Sequence, residues 1–102
     1  MPKENRNLRI RKSTLAKYDL FEIWFYSFSQ WGSKQADIYL DDLEEGLTKL
    51  SKAPYLGKVI ETKYKIFHRL KINHHLIYYS IQKDCINVIR ILHEKQSEET
   101  IE

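Results

Sequence analysis

The sequence predicts an α+β domain, β-α-α-β-β-β, in which an antiparallel sheet packs against an N-terminal helical hairpin. Three observations predict it. Apolar residues recur every three or four positions from Ala16 to Leu50, broken only at Gly32-Ser33. From Ile66 to His93 the pattern becomes alternating or β-branched and aromatic. A short alternating stretch, Asn7-Leu8-Arg9-Ile10-Arg11, precedes the helices. The 102 residues suit one domain, 1–102, with its core over about 8–93 and an acidic tail over 94–102.

Each element follows from its local chemistry. Residues 7–11 read as a half-buried strand. Ser13 or Thr14 then offers a side-chain oxygen to the first free N–H groups of a helix. In that helix Ala16, Leu20, Ile23, Trp24, Ser27 and Trp31 share one face, and Phe21, Phe25 and Phe28 form a second stripe beside it. A helix apolar over so wide an arc is expected to be covered on more than one side. Gly32 ends it, and Ser33 is expected to cap the next helix. Ala36, Leu40, Leu43, Leu47 and Leu50 give that helix one apolar face; Asp37, Asp41, Asp42, Glu44, Glu45 and Lys49 line the other. So short a junction predicts an antiparallel hairpin. Pro54 disfavours helix at Ala53, and Gly57 completes the break. Lys58–His93 reads as strand throughout, with defined runs at Ile66–Ile72, from His75 to Ile81, and from Cys85 to His93; Gln82-Lys83-Asp84 is a turn. The near-continuous apolar character of the last run places it inside the sheet.

Composition excludes several classes. Hydrophobic residues are 42% and charged residues 30%, as in globular domains rather than disordered chains. One cysteine, Cys85, excludes an internal disulfide and a cysteine-cluster metal site, and suits a reducing, cytoplasmic setting. The N-terminus has no apolar run of the signal-peptide kind, and no stretch reaches the length of a membrane span. His68, His74, His75 and His93 lack metal-site spacing and a carboxylate cluster, so no metal or other cofactor is expected.

The net charge of +3 conceals blocks. Residues 1–18 hold six Lys/Arg against one Glu, and 19–53 hold three Lys against seven acids. Residues 54–93 hold seven Lys/Arg against two acids, and 94–102 one Lys against four Glu. Basic and acidic surfaces are therefore expected to segregate in space.

Four blocks resemble the ParE branch of the ParE/RelE toxin superfamily: Ala16-Lys17-Tyr18-Asp19-Leu20-Phe21-Glu22-Ile23-Trp24; Trp31-Gly32 with Gln35-Ala36 and Tyr39; Ala53-Pro54 with Leu56-Gly57; and His75-Leu76-Ile77-Tyr78-Tyr79 followed by Ile89-Arg90-Ile91-Leu92-His93. The likeness spans about residues 8–96. The stretch from Phe67 to His74 departs from the Arg-rich or Gly-rich sequence common there. The resemblance implies the toxin of a bacterial type II toxin–antitoxin module, a non-enzyme that inhibits DNA gyrase by stabilising its cleaved DNA complex and is neutralised by a cognate antitoxin. The RelE branch implies instead a ribosome-dependent mRNA endoribonuclease. A third possibility is an inactive member that only binds antitoxin.

Ribonuclease chemistry needs a base, a cation for the phosphorane and an acid, and His75, Arg69, Arg90 and His93 are the candidates by type. Against this, His93 is followed by Glu94-Lys95-Gln96, closer to the ParE pattern. The candidate target-binding set is Lys63, Lys65, Arg69, Lys71 and His93. Lys63-Tyr64-Lys65 suits nucleic-acid contact or a solvated strand face. Arg90 suits a target contact or an ion pair with Asp19 or Glu22. His75 suits a structural hydrogen bond to a neighbouring loop, and His93 a cap or interface role. Phe21, Phe25 and Phe28 are the candidate antitoxin-binding residues, since such antitoxins dock apolar anchors as they fold.

Overall fold

A computed structural model of the chain describes residues 7–96. Strand β1, Arg9–Lys12, leads into helix α1, Thr14–Trp31, and helix α2, Ser33–Lys52. A 3-10 turn at Pro54–Leu56 follows, then β2, Lys58–Glu61; β3, Ile66–Ile72; β4, His75–Ile81; and β5, Cys85–His93. The α+β class and the helical hairpin are as the periodicity predicts. The sheet has one strand more than expected and is mixed: its order is β1-β5-β4-β3-β2, antiparallel except that β1 runs parallel to β5. Both helices form the crossover that a parallel pairing requires. The interior position expected for β5 holds, because β1 covers its outer edge.

Local caps fix the ends of the helices. Ser13 Oγ accepts the Ala16 N–H at 3.0 Å and donates to the Ile89 carbonyl at 2.8 Å, so the residue that starts α1 also ties it to β5. Gly32, at φ +94°, occupies a region that side chains disfavour, and its N–H closes α1 on the Phe28 carbonyl at 2.9 Å. Ser33 does not cap α2. It is the first helical residue; the cap position is Gly32, which has no side chain to accept the first N–H groups, and its carbonyl accepts the Ala36 N–H at 3.1 Å. After α2, the buried Tyr79 hydroxyl donates to the Pro54 carbonyl at 2.8 Å and accepts the Gly57 N–H at 2.9 Å. A Cβ at Gly57 would lie 2.8 Å from the Arg69 carbonyl oxygen, so only glycine lets this turn approach β3.

The main core lies between the helices and one face of the sheet. Ala16, Leu20 and Ile23 of α1 and Leu43, Leu47 and Leu50 of α2 pack on Ile77, Tyr79, Ile86, Val88 and Ile91. Phe67, Tyr78 and Leu92 form a smaller cluster on the opposite face, joined by Ile60, Leu76 and Ile89. Strict alternation would place Val88, Arg90 and Leu92 on one side of β5. Instead, a bulge leaves Ile89 without a partner between the pairs Tyr79–Val88 and Tyr78–Arg90. Val88 and Ile91 consequently share the main core, while Ile89 and Leu92 join the other cluster.

Candidate functional site

β1 stops at Lys12, which leaves the upper edge of β5 without a strand beside it. A carboxylate takes that place. Asp19, buried on α1, accepts the Ile91 N–H at 2.9 Å and the Arg90 guanidinium at 2.8 and 2.9 Å. The bidentate bond holds the Arg90 pKa above its ordinary value. Of the two readings of Arg90, the ion pair with Asp19 is the one found, and its guanidinium is engaged within the fold.

The same helix presents its other side to solvent. Phe21, Phe25 and Phe28 are 58%, 52% and 43% exposed, far from the double coverage expected from their periodicity. The rings are ordered among themselves. Phe21 stacks near Phe25 with centroids 6.3 Å apart, and Trp24 stacks on Phe28 at 5.1 Å. Trp24 is held by its indole N–H, which donates to Asp37 at 2.9 Å across the hairpin. Contiguous exposed rings of this kind make the outer side of α1 a candidate interaction surface.

Between this helix and the end of the sheet runs a groove of about 780 Å³, lined mainly by Tyr26, Trp31, Tyr39, His74, His75 and His93. A two-residue turn, Asn73-His74, carries the chain from β3 to β4 beneath α2, with Asn73 at φ +55°. Tyr39 Oη lies 2.6 Å from His75 Nδ1 and accepts the His74 N–H at 3.3 Å. His75 therefore has its structural hydrogen bond, although to a helix residue rather than a loop. Burial, reinforced by the neighbouring His93 and His74, lowers its pKa to about 4 and keeps the imidazole neutral near pH 7. His93 meets His75 edge-on with ring centres 5.2 Å apart, and its Nδ1 accepts the Lys95 N–H at 3.2 Å, the capping role expected for it. Among the described residues no cluster of His, Cys, Asp or Glu is arranged to hold a metal ion.

The candidate target-binding residues fall into separate groups. Lys63 and Lys65 sit in the β2–β3 turn. Lys71 and His93 lie at the opposite end of the sheet, about 20 Å along β3 at the rise of an extended strand. Lys71 is paired with Glu94 at 2.9 Å, and Glu94 Oε2 lies 2.8 Å from His74 Nδ1; the hydrogen bonds from Lys71 and then His74 lower the Glu94 pKa to about 2. Arg69 lies mid-strand, opposite Lys58 and Tyr78. The ribonuclease candidates divide likewise: His75 and His93 meet in the groove, while Arg90 is bound to Asp19. Tyr39 and His74 complete the groove and were not singled out by sequence pattern as site residues. Their nearest signals were Tyr39 in a block of the family resemblance and His74 among the four histidines.

Comparison with known proteins adds a decisive finding. The family model described as "ParE toxin of type II toxin-antitoxin system, parDE" matches residues 10–98. The chain belongs to the ParE toxin family. Among its ParE relatives, Toxin ParE1 of Caulobacter vibrioides is 30% identical over 87 residues, covering 85% of this chain and 90% of that protein. Toxin ParE1 of Mycobacterium tuberculosis is 27% identical over 84 residues, covering 81% and 86%. A chain of the chromosomal ParDE system from P. aeruginosa superposes on this ParE fold with TM-score 0.74 at 16% identity, covering 84% and 95%. The RelBE2 toxin–antitoxin complex from Mycobacterium tuberculosis contains a chain with TM-score 0.62 at 17% identity, covering 85% and 98%. These two likenesses concern the fold. No helix among the described residues is long and apolar enough to cross a membrane.

Proposed function

We propose that this ParE-family toxin inhibits DNA gyrase by stabilising the enzyme's cleaved DNA complex, and that a cognate antitoxin restrains it by covering the outer side of α1. The observation that carries the antitoxin part is the ordered, exposed stripe of Phe21, Phe25 and Phe28. A partner that folds on docking gains most from rigid aromatic anchors, because they bury large area at small entropic cost. The structural relatives, from ParDE and RelBE2, belong to toxin–antitoxin systems, which supports the same kind of partner here.

Family membership and the state of the cations support gyrase over mRNA as the target. An RNase acting through His75 and His93 needs a cation free to meet the phosphorane. Arg90 is committed to Asp19, Lys71 is paired with Glu94, and Arg69 lies mid-strand on β3 outside the residues that line the groove. Inhibition then works by differential binding: the toxin holds gyrase in the state to which it binds more tightly. The meeting of His75 with His93 in an open groove favours the ribonuclease as the second reading. One pair of assays tests both. The purified chain is expected to trap cleaved DNA in a gyrase reaction and to leave mRNA intact in a translating extract. Codon-positioned mRNA cuts without trapped DNA reverse the assignment, and inactivity in both assays points to a member that only binds antitoxin.

A further inference from the structure

The β2–β3 turn has a construction that neither the antitoxin surface nor the groove uses. One side chain organises it. Thr62 Oγ1 accepts the N–H groups of Tyr64 at 3.2 Å and Lys65 at 3.1 Å, and donates to the Lys65 carbonyl at 3.0 Å. The Thr62 N–H reaches the same carbonyl at 2.9 Å. Such bonding holds a turn in one conformation, so its tip is presented ready for contact. What it presents is a bare ring among cations. Tyr64 is 73% exposed, and the Lys63 ammonium lies 5.8 Å from its ring centre. Lys65 follows, and Lys58 begins the partner strand; all three lysines are exposed. Among the described residues none of the three is in an ion pair, and Glu61 is the one acid between Pro54 and Ile72.

We propose that this turn binds a single nucleic-acid strand, with Tyr64 stacked on a base and Lys63 and Lys65 against the flanking phosphates, and Lys58 farther along β2 on the path of the backbone. Cations track the backbone and aromatic faces take the bases in sequence-tolerant strand binding. An acidic protein segment would use the lysines and leave the ring idle, which is why the exposed tyrosine decides between them. The inference concerns the surface alone and stands whichever macromolecule the toxin inhibits.

Fluorescence anisotropy of the full-length chain with a labelled oligothymidylate strand, between about 50 and 200 mM salt, tests it. Binding is expected to weaken as salt rises. Lys63→Ala with Lys65→Ala is expected to lower affinity at least tenfold and to reduce the slope of log K against log salt by about 1.4, two phosphate contacts on a single strand. Tyr64→Ala is expected to lower affinity about tenfold with little change in slope. Lys34→Ala on α2 should alter neither, and matching circular dichroism melts separate lost contacts from lost fold. Absence of binding at 50 mM salt overturns the proposal, as do turn variants that bind like the parent. Equal competition by a polyglutamate peptide, with Tyr64→Ala silent, assigns the turn to an acidic protein instead.

Discussion

The two long sides of α1 are both apolar, yet they are built from different residues. The side against the sheet uses small and aliphatic groups, Ala16, Leu20 and Ile23, with Ser27, and fixes its position through one charged residue, Asp19. The outer side uses large rings: Phe21, Phe25 and Phe28 stay in water, Phe21 stacked near Phe25 and Phe28 stacked on the half-buried Trp24. Aliphatic side chains interlock at close range and give a permanent core. Flat rings offer area without interlocking, which suits an interface that forms and is later released. Hydrophobicity alone therefore does not distinguish core from exposed surface on this helix; side-chain shape does.

Substitutions on each side break that comparison in a graded way. Removing the anchor of the inner side has the largest effect. Asp19→Ala leaves the half-buried Arg90 and the Ile91 N–H without their acceptor and is expected to cost about 3–4 kcal/mol in urea denaturation, while Asp19→Leu with Arg90→Met recovers the part due to the unpaired guanidinium but not the part due to the Ile91 N–H. Single and double variants of equal stability would refute the anchor. Next comes acid. His75 has its pKa lowered from 6.5 to about 4, so its contribution is complete above pH 6.5 and is lost as pH falls from there toward 4. The loss amounts to about 2–3 kcal/mol, and His75→Asn should flatten the stability–pH curve in that window. Parallel curves for variant and parent would remove the assignment. Ser13→Ala, which deletes the cap and its tie to β5, is expected to cost about 1–2 kcal/mol and to lower the melting temperature by several degrees. The outer side yields the smallest change in stability. Phe21→Ala with Phe25→Ala should stay within about 0.5 kcal/mol of the parent, yet weaken antitoxin binding by about 2 kcal/mol or more in calorimetry. Unchanged affinity in the folded variant would place the docking surface elsewhere.

Much of this architecture is legible in the sequence, because the long elements are strongly periodic. Both helices, the Gly32 junction and the three long strands follow from spacing alone. Features that depend on a distant neighbour were not legible. Lys58–Glu61 lies in the stretch read as extended, but that it is a separate strand, cut off by the Thr62–Lys65 turn and defined by pairing with β3, is not marked by so short a run. The Ile89 bulge follows a residue count set by β4, so alternation within β5 misplaces what lies beyond it. Of the candidate site, the aromatic stripe and the Arg90 ion pair were readable as alternatives. The groove was not: Tyr39 and His75 are 36 positions apart, and only the hairpin's lie across the sheet brings them to 2.6 Å.

The pairing of the first strand with the last has a consequence for synthesis and for genetics. Arg9 aligns with Cys85, Ser13 bonds Ile89, and Asp19 reaches Ile91. An emerging chain thus holds its helical hairpin without the strand that completes the core until the final residues of β5 leave the ribosome. A stop codon or frameshift anywhere before Ile91 removes the β5 edge on which the Asp19 carboxylate closes the fold. Truncation anywhere between β1 and Ile91 is therefore expected to abolish the fold, because it removes one member of one or more of these long-range pairs.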